Sequence, residues 1–160
     1  MISEVDKAHI EAQLGREIRG AIEVAHYCEC GKPDVVKTAP RLPDGTPFPT
    51  MFYATCPKLT SAIGTLEANN VMKDMQDRLA TDEHVAENYR RAHAAYLAER
   101  EAIEQVSEID GITAGGMPDR VKCLHVLAGH ALAKGPGVNL LGDEVVALVA
   151  GCQSNGSCVE

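Results

Sequence analysis

The sequence contains no tryptophan and only two phenylalanines and four tyrosines. A core must therefore be built from Leu, Ile, Val, Ala and Met rather than from stacked rings. Cations are also in short supply, with 15 Lys and Arg against 23 Asp and Glu and a formal net charge of −8. That balance excludes a general nucleic-acid binder, which needs a basic face to displace counterions. It equally excludes docking on an anionic membrane surface. No run of about 18 apolar residues exists, so no membrane-spanning helix is expected. The first fifteen residues carry Glu4, Asp6, Lys7, His9 and Glu11 and lack the apolar centre of a secretory signal. A cytoplasmic location is expected, where stable disulfides are unusual. The six cysteines then read as thiols or metal ligands rather than staples. Motifs are missing too. There is no Cys-x-x-Cys pair, no GxxxxGK[ST] loop, no His-Glu-x-x-His pair and no Gly-x-Ser-x-Gly elbow, which removes the commonest metal, nucleotide and hydrolase signatures.

What is present fits one domain over residues 1–150 with a small polar tail, 151–160, expected to be flexible. Ser3 and Asp6 mark a helix start and Gly15 its end. Residues 20–27, 35–38 and 51–55 read as three short strands. Between the last two lies a loop stiffened by Pro40, Pro43, Pro47 and Pro49. From Lys58 the period becomes helical: Leu59, Ile63 and Leu66; then, past Asn69 and Asn70, Val71, Met72, Met75 and Leu79. A long helix is expected from Asp82 to about Val106. Another should run from Pro118 to Ala133, and a short one from Glu144 to Ala150. The fold class is α+β: a small antiparallel sheet of about three strands packed by about five helices.

The strings VVKTAPRLPDGTPFPT, AHAAYLAER and AGGMPDRVKCLHVLAGHALAKGPGVNLLGDE resemble an uncharacterised bacterial, largely actinobacterial, family: domain of unknown function number five hundred and one. The likeness covers roughly residues 11–150 and is strongest in the third string. The resemblance implies a bacterial cytosolic protein and carries no activity with it. Members of that family often lie beside genes for enolase, a septum-formation protein and an exopolyphosphatase, an association pointing to phosphate chemistry or cell division.

Three residue sets could carry chemistry. The first is soft: Cys28 and Cys30 before Gly31 form half of a metal knuckle, with Cys56 and Cys123 as further ligands for Zn or an iron–sulfur cluster. On a helix over 118–133, Val121, Leu124, Leu127, Ala128, Ala131 and Leu132 make a buried stripe. Cys123 and His130 then fall on one flank and Lys122 and His125 on the other. Cys123 and His125 therefore diverge, and the helix offers about one ligand. The second set is cationic. Gly115 and Gly116 lead into the expected helix N-terminus, with Arg120 and Lys122 in its first turns and Arg41 in the proline loop. Together they suit a small anionic ligand. The third is acid–base: His93, on a helix face with Tyr89, Tyr96 and Arg100, together with His125, Asp143 and Asp44. Residue types alone point to one pocket joining the Cys28 turn, the Arg41–Thr46 loop, Cys56 and Gly115–His125. Three functions fit it. One is a metal protein of structural or sensing role. Another is an enzyme on a phosphorylated or carboxylated small molecule. The last is a non-catalytic partner-binding module linked to cell division.

Overall fold

The computed structural model describes residues 1–149; Cys152, Cys158 and the tail expected at 151–160 lie outside them. Helix α1 (Glu4–Leu14) starts where the Ser3 hydroxyl accepts the Asp6 amide and stops at Gly15. Strands β1 (Ala21–Tyr27), β2 (Pro33–Thr38) and β3 (Phe52–Ala54) form one antiparallel sheet in the order β1-β2-β3. Val35 faces Ala54 and Lys37 faces Phe52 in register, while Tyr27 pairs with Pro33. Both outer strands run opposite to β2, so β1 and β3 end at the same end of the sheet.

Six α-helices are present among the described residues, against about five expected. The remaining five are α2 (Pro57–Glu67), α3 (Val71–Thr81), α4 (Glu83–Ile103), α5 (Leu124–Lys134) and α6 (Leu140–Leu148). Pro57 opens α2 at a position whose amide has no helical partner to lose. Asp82 caps α4 by accepting the His84 and Val85 amides. Two expected boundaries are corrected. The last helix begins at Leu140 rather than Glu144, because the Asn139 side chain accepts the Gly142 amide and starts the coil four residues earlier. The helix expected from Pro118 begins only at Leu124.

The second correction has a local cause. Gly115 and Gly116 both adopt left-handed φ, 72° and 89°, and a Cβ on Gly116 would lie 2.8 Å from the Arg120 carbonyl oxygen. The chain closes on itself there. Arg120 N–H donates to the Gly116 carbonyl and Lys122 N–H to the Gly115 carbonyl, both at 2.8 Å. The Met117–Pro118 bond is cis. Gln76 from α3 clamps the outside of the turn: its amide donates to the Asp119 carbonyl and its oxygen accepts the Val121 N–H. Tyr89 from α4 donates to the Arg120 carbonyl at 2.7 Å. With these backbone groups already paired, residues 115–122 form a turn rather than a helical start.

Helix α5 is the centre of the core. Leu124, Leu127 and Ala128 are fully buried with Val35, Met51, Phe52, Ile63, Met75, Tyr89 and Tyr96. Two glycines let backbones touch. A Cβ on Gly129 would lie 2.8 Å from the Phe52 carbonyl oxygen of β3, and one on Gly142 would overlap the Leu127 carbonyl oxygen of α5. Overpacking of this kind costs about 1–3 kcal/mol when the neighbour cannot move, and here it is backbone. Gly142→Ala is therefore expected to lower stability by about 3 kcal/mol. Gly64→Ala, where an added Cβ meets nothing within 4 Å, should raise it by about 1 kcal/mol through helix propensity alone. Urea denaturation midpoints of the two variants check both signs.

Candidate functional site

The structure distributes the expected site residues over separate places. Arg41 is occupied. Its guanidinium grips the Glu108 carboxylate with two bonds of 2.9 and 3.0 Å, reaches Glu104 and donates to the Gly45 carbonyl. That fork pushes the Glu108 carboxyl down to about 2. Arg41 thus belongs to the end of α4 and the 3₁₀ turn at Ser107–Ile109. Arg120 and Lys122 are exposed on the turn before α5. Gly115 and Gly116 spend their carbonyls inside that turn, so the anion site expected there lacks the helix N-terminus on which it was built.

The acid–base set is likewise spread out. His93 Nδ1 meets the Thr113 hydroxyl at 3.0 Å, and burial pushes its imidazole down. The Asp143 carboxylate accepts the Gly137 N–H at 2.8 Å, holding the turn that precedes α6. Asp44 accepts the Thr46 amide within its own turn. The His93 face of α4 is structural. The Tyr96 hydroxyl accepts the Met51 amide at 2.6 Å and the Phe52 amide at 3.3 Å, and burial pushes it up to about 12. Arg100, 2% exposed, donates to the carbonyls of Pro49, Ile109 and Ile112. His130 is buried between Phe52 and Tyr96, beside the Asn139 amide, and burial pushes it down to about 4.

One group does converge. Because α5 starts at Leu124, Cys123 is not on the helix but at its N-cap, with extended φ and ψ of −149° and 111°. The expected divergence of Cys123 and His125 is therefore corrected: the Cys123 Sγ lies 4.0 Å from His125 Nδ1. Glu67, the last residue of α2, reaches across to both. Its Oε1 stands 3.1 Å from His125 Nδ1, and its Oε2 accepts the Leu124 N–H at 2.8 Å. It thus supplies the side-chain cap that Cys123 does not. On the other side of the ring, Nε2 is 3.1 Å from the Thr60 carbonyl oxygen. A carbonyl only accepts, so Nε2 carries a proton and Nδ1 is the nitrogen left to face the carboxylate and the sulfur.

Sequence reasoning missed Glu67 and Thr60. They are seven residues apart on α2 and so share one face after two turns, but nothing local marks that face as the one meeting α5. One oxygen, one sulfur and one nitrogen donor now lie within 4.8 Å of one another. Glu67 and His125 are 24% and 31% exposed, sheltered yet open to solvent. In the absence of another cation a proton fills the gap. The Cys123 sulfur, the Glu67 carboxylate and the Thr60 carbonyl together push His125 up to about 9, against the opposing effect of burial.

Since this pKa is raised above the ordinary 6.5, the His125 contribution to stability is complete below about pH 6.5 and is lost as pH rises through about 9. In metal-free protein, the stability gap between wild type and His125→Gln should be widest near pH 6 and close by pH 10. Chemical denaturation across that range measures it. A gap that does not change with pH contradicts the ionised pair.

Among the described residues no helix is long and apolar enough to cross a membrane. No curated protein matches the chain, and no solved structure matches it. A family model described as Protein of unknown function (DUF501) matches residues 24–147. That span holds the whole of β2 through α5, with Glu67, Cys123 and His125 inside it, and the chain belongs to this family.

Proposed function

We propose that this is a metal-binding protein whose site takes a Zn²⁺-class ion on Glu67 Oε1, Cys123 Sγ and His125 Nδ1. The convergence of those three donors supports the reading. A tetrahedral ion with bonds of about 2.0–2.3 Å separates its ligand atoms by about 3.3–3.8 Å. The nitrogen–oxygen and nitrogen–sulfur separations of 3.1 and 4.0 Å bracket that range, and all three donors lie within 4.8 Å of one another, close enough for side-chain rotations to bring them onto one ion. The outer contacts have the form metal ligands use. Thr60 holds the far ring nitrogen as a donor, and the Leu124 amide holds the second carboxylate oxygen. A mixed oxygen, nitrogen and single-thiolate set suits Zn²⁺ rather than an iron–sulfur cluster, which is held by several thiolates, or Mg²⁺, which takes oxygens. Three protein ligands leave a fourth position for water. That is the arrangement of an exchangeable or catalytic ion rather than a closed structural one.

Binding must displace the proton from His125, so affinity is coupled to pH. With His125 held up to about 9, apparent Zn²⁺ affinity should rise at least about tenfold per pH unit between 6 and 8. Equilibrium dialysis against ZnCl₂ with metal analysis should find one equivalent bound. Cys123→Ser and His125→Gln should each weaken it by at least about a hundredfold, more than loss of an outer contact costs. Glu67→Gln keeps an oxygen for the Leu124 amide while removing the charge, and should weaken binding without unfolding α5. Affinity that is independent of pH, or unchanged in the Cys123 and His125 variants, overturns the assignment.

A further inference from the structure

Outside the Glu67 site two places gather soft or charged side chains. The first is the end of the sheet where β1 and β3 both finish. Cys28 and Cys56 pack together there, with Cys30 and Leu59 against them. Cys28 is disulfide-bonded, a staple where the sequence suggests a thiol, and Cys30 and Cys56 take no part in that bond. Among the described residues these cysteines do not join the donors at Cys123, so the four-cysteine ligand set expected from the sequence is divided. The second place is a cleft of about 390 Å³ where α4 ends and the 3₁₀ turn begins. Arg100 lines it although the residue is almost wholly buried. A guanidinium has five N–H donors. Three of them, all on the terminal nitrogens, go to the carbonyls of Pro49, Ile109 and Ile112. The Nε–H has no partner among the described residues, yet it is not sealed from solvent. No carboxylate touches the group either. Burial pushes the guanidinium down, with Glu101 and Asp110 opposing that shift only through space. Three carbonyls satisfy donors without neutralising the charge, and a buried cation with no anion in contact is costly.

Glu101 and Asp110 line the same cleft, and among the described residues no hydrogen bond or ion pair engages either carboxylate. Arg41, at the rim, is already matched by Glu104 and Glu108. With those pairs set aside, the cleft presents one guanidinium and two carboxylates. The last carbonyls of α4 add partial negative charge. An anion alone would meet Glu101 and Asp110, and a cation alone would leave Arg100 unanswered. The complement carries one negative and two positive groups. We infer that this cleft binds a small basic α-amino acid of the lysine class, with its carboxylate on the Arg100 Nε–H and its two ammonium groups on Glu101 and Asp110. The volume falls in the range of small-molecule sites, about 300–1,000 Å³. Each contact is a charge-assisted hydrogen bond, the stronger kind. The cleft shares no residue with the Glu67 site, and its ligand does not depend on a metal there.

Titration of the full chain with L-lysine, followed by amide nitrogen–proton NMR in EDTA to keep metal from the Glu67 site, tests the inference. Saturable shifts should centre on the amides of Glu101, Gln105 and Asp110. Cadaverine keeps both ammonium groups and lacks the carboxylate, so it reads the Arg100 contact without altering a buried residue. It should bind at least about tenfold more weakly, the effect of one charge-assisted bond. Nα-acetyl-L-lysine, which mimics a peptide C-terminus, loses one ammonium group and should weaken by a similar factor. Glu101→Gln and Asp110→Asn remove carboxylates that hold nothing in the fold, and each should weaken L-lysine by about tenfold. No saturable shift at the cleft, cadaverine binding as tightly as L-lysine, or unchanged affinity in both variants overturns the site. Equal binding of Nα-acetyl-L-lysine overturns the free amino acid and gives the cleft to a peptide C-terminus.

Discussion

The seating of α5 against β3 and α6 is the constraint from which the remaining geometry follows. Helix and strand meet at Gly129, and helix and helix at Gly142, so closely that a methyl group would strike a carbonyl oxygen in each case. Contacts of that kind fix position to a fraction of an ångström, because backbone cannot rotate away as a side chain can. With α5 so placed, its first turn lies beside α2. The amide of Leu124 and the ring of His125 then come within reach of Glu67 and Thr60.

In a chain poor in aromatics, polar side chains complete what the apolar core begins. Arg100, Tyr89, Tyr96 and Gln76 are spent on backbone groups of the segments around them. Each satisfies carbonyls or amides that irregular chain would otherwise leave unpaired. The 105–122 stretch therefore has a defined path without regular helix, and that path delivers Cys123 to the α5 cap in an extended conformation. The face of α4 that suggests proton transfer from its residue types is a scaffold.

Helix α2 connects the two cysteine environments. Cys56 caps its start, and Thr60, whose amide bonds the Cys56 carbonyl at 2.9 Å, lends its own carbonyl to His125. Glu67 closes its end. The cysteines that composition alone would pool into one ligand set are thus divided between the end of the sheet and the start of α5.

The sequence by itself determined the elements whose signals are local. Ser3 and Gly15 bound α1, Pro57 opens α2, Asn69 and Asn70 separate α2 from α3, and three β-rich runs give the sheet; the α+β class follows. It also marked Cys28, Cys30, Cys56, Cys123 and His125 as residues worth following, because thiols and imidazoles are the donors soft metals need. Tertiary structure alone decided which of them meet. Whether Pro118 begins a helix depended on Gly115 and Gly116 turning the chain back and on Gln76 and Tyr89 holding it there, contacts that span 31 to 45 residues. The helical wheel over 118–133 kept Cys123 and His125 apart; the cap geometry at Cys123 brought them together. Glu67 carries no local mark at all, since a carboxylate at the end of a helix is ordinary until another helix places an amide and an imidazole in front of it.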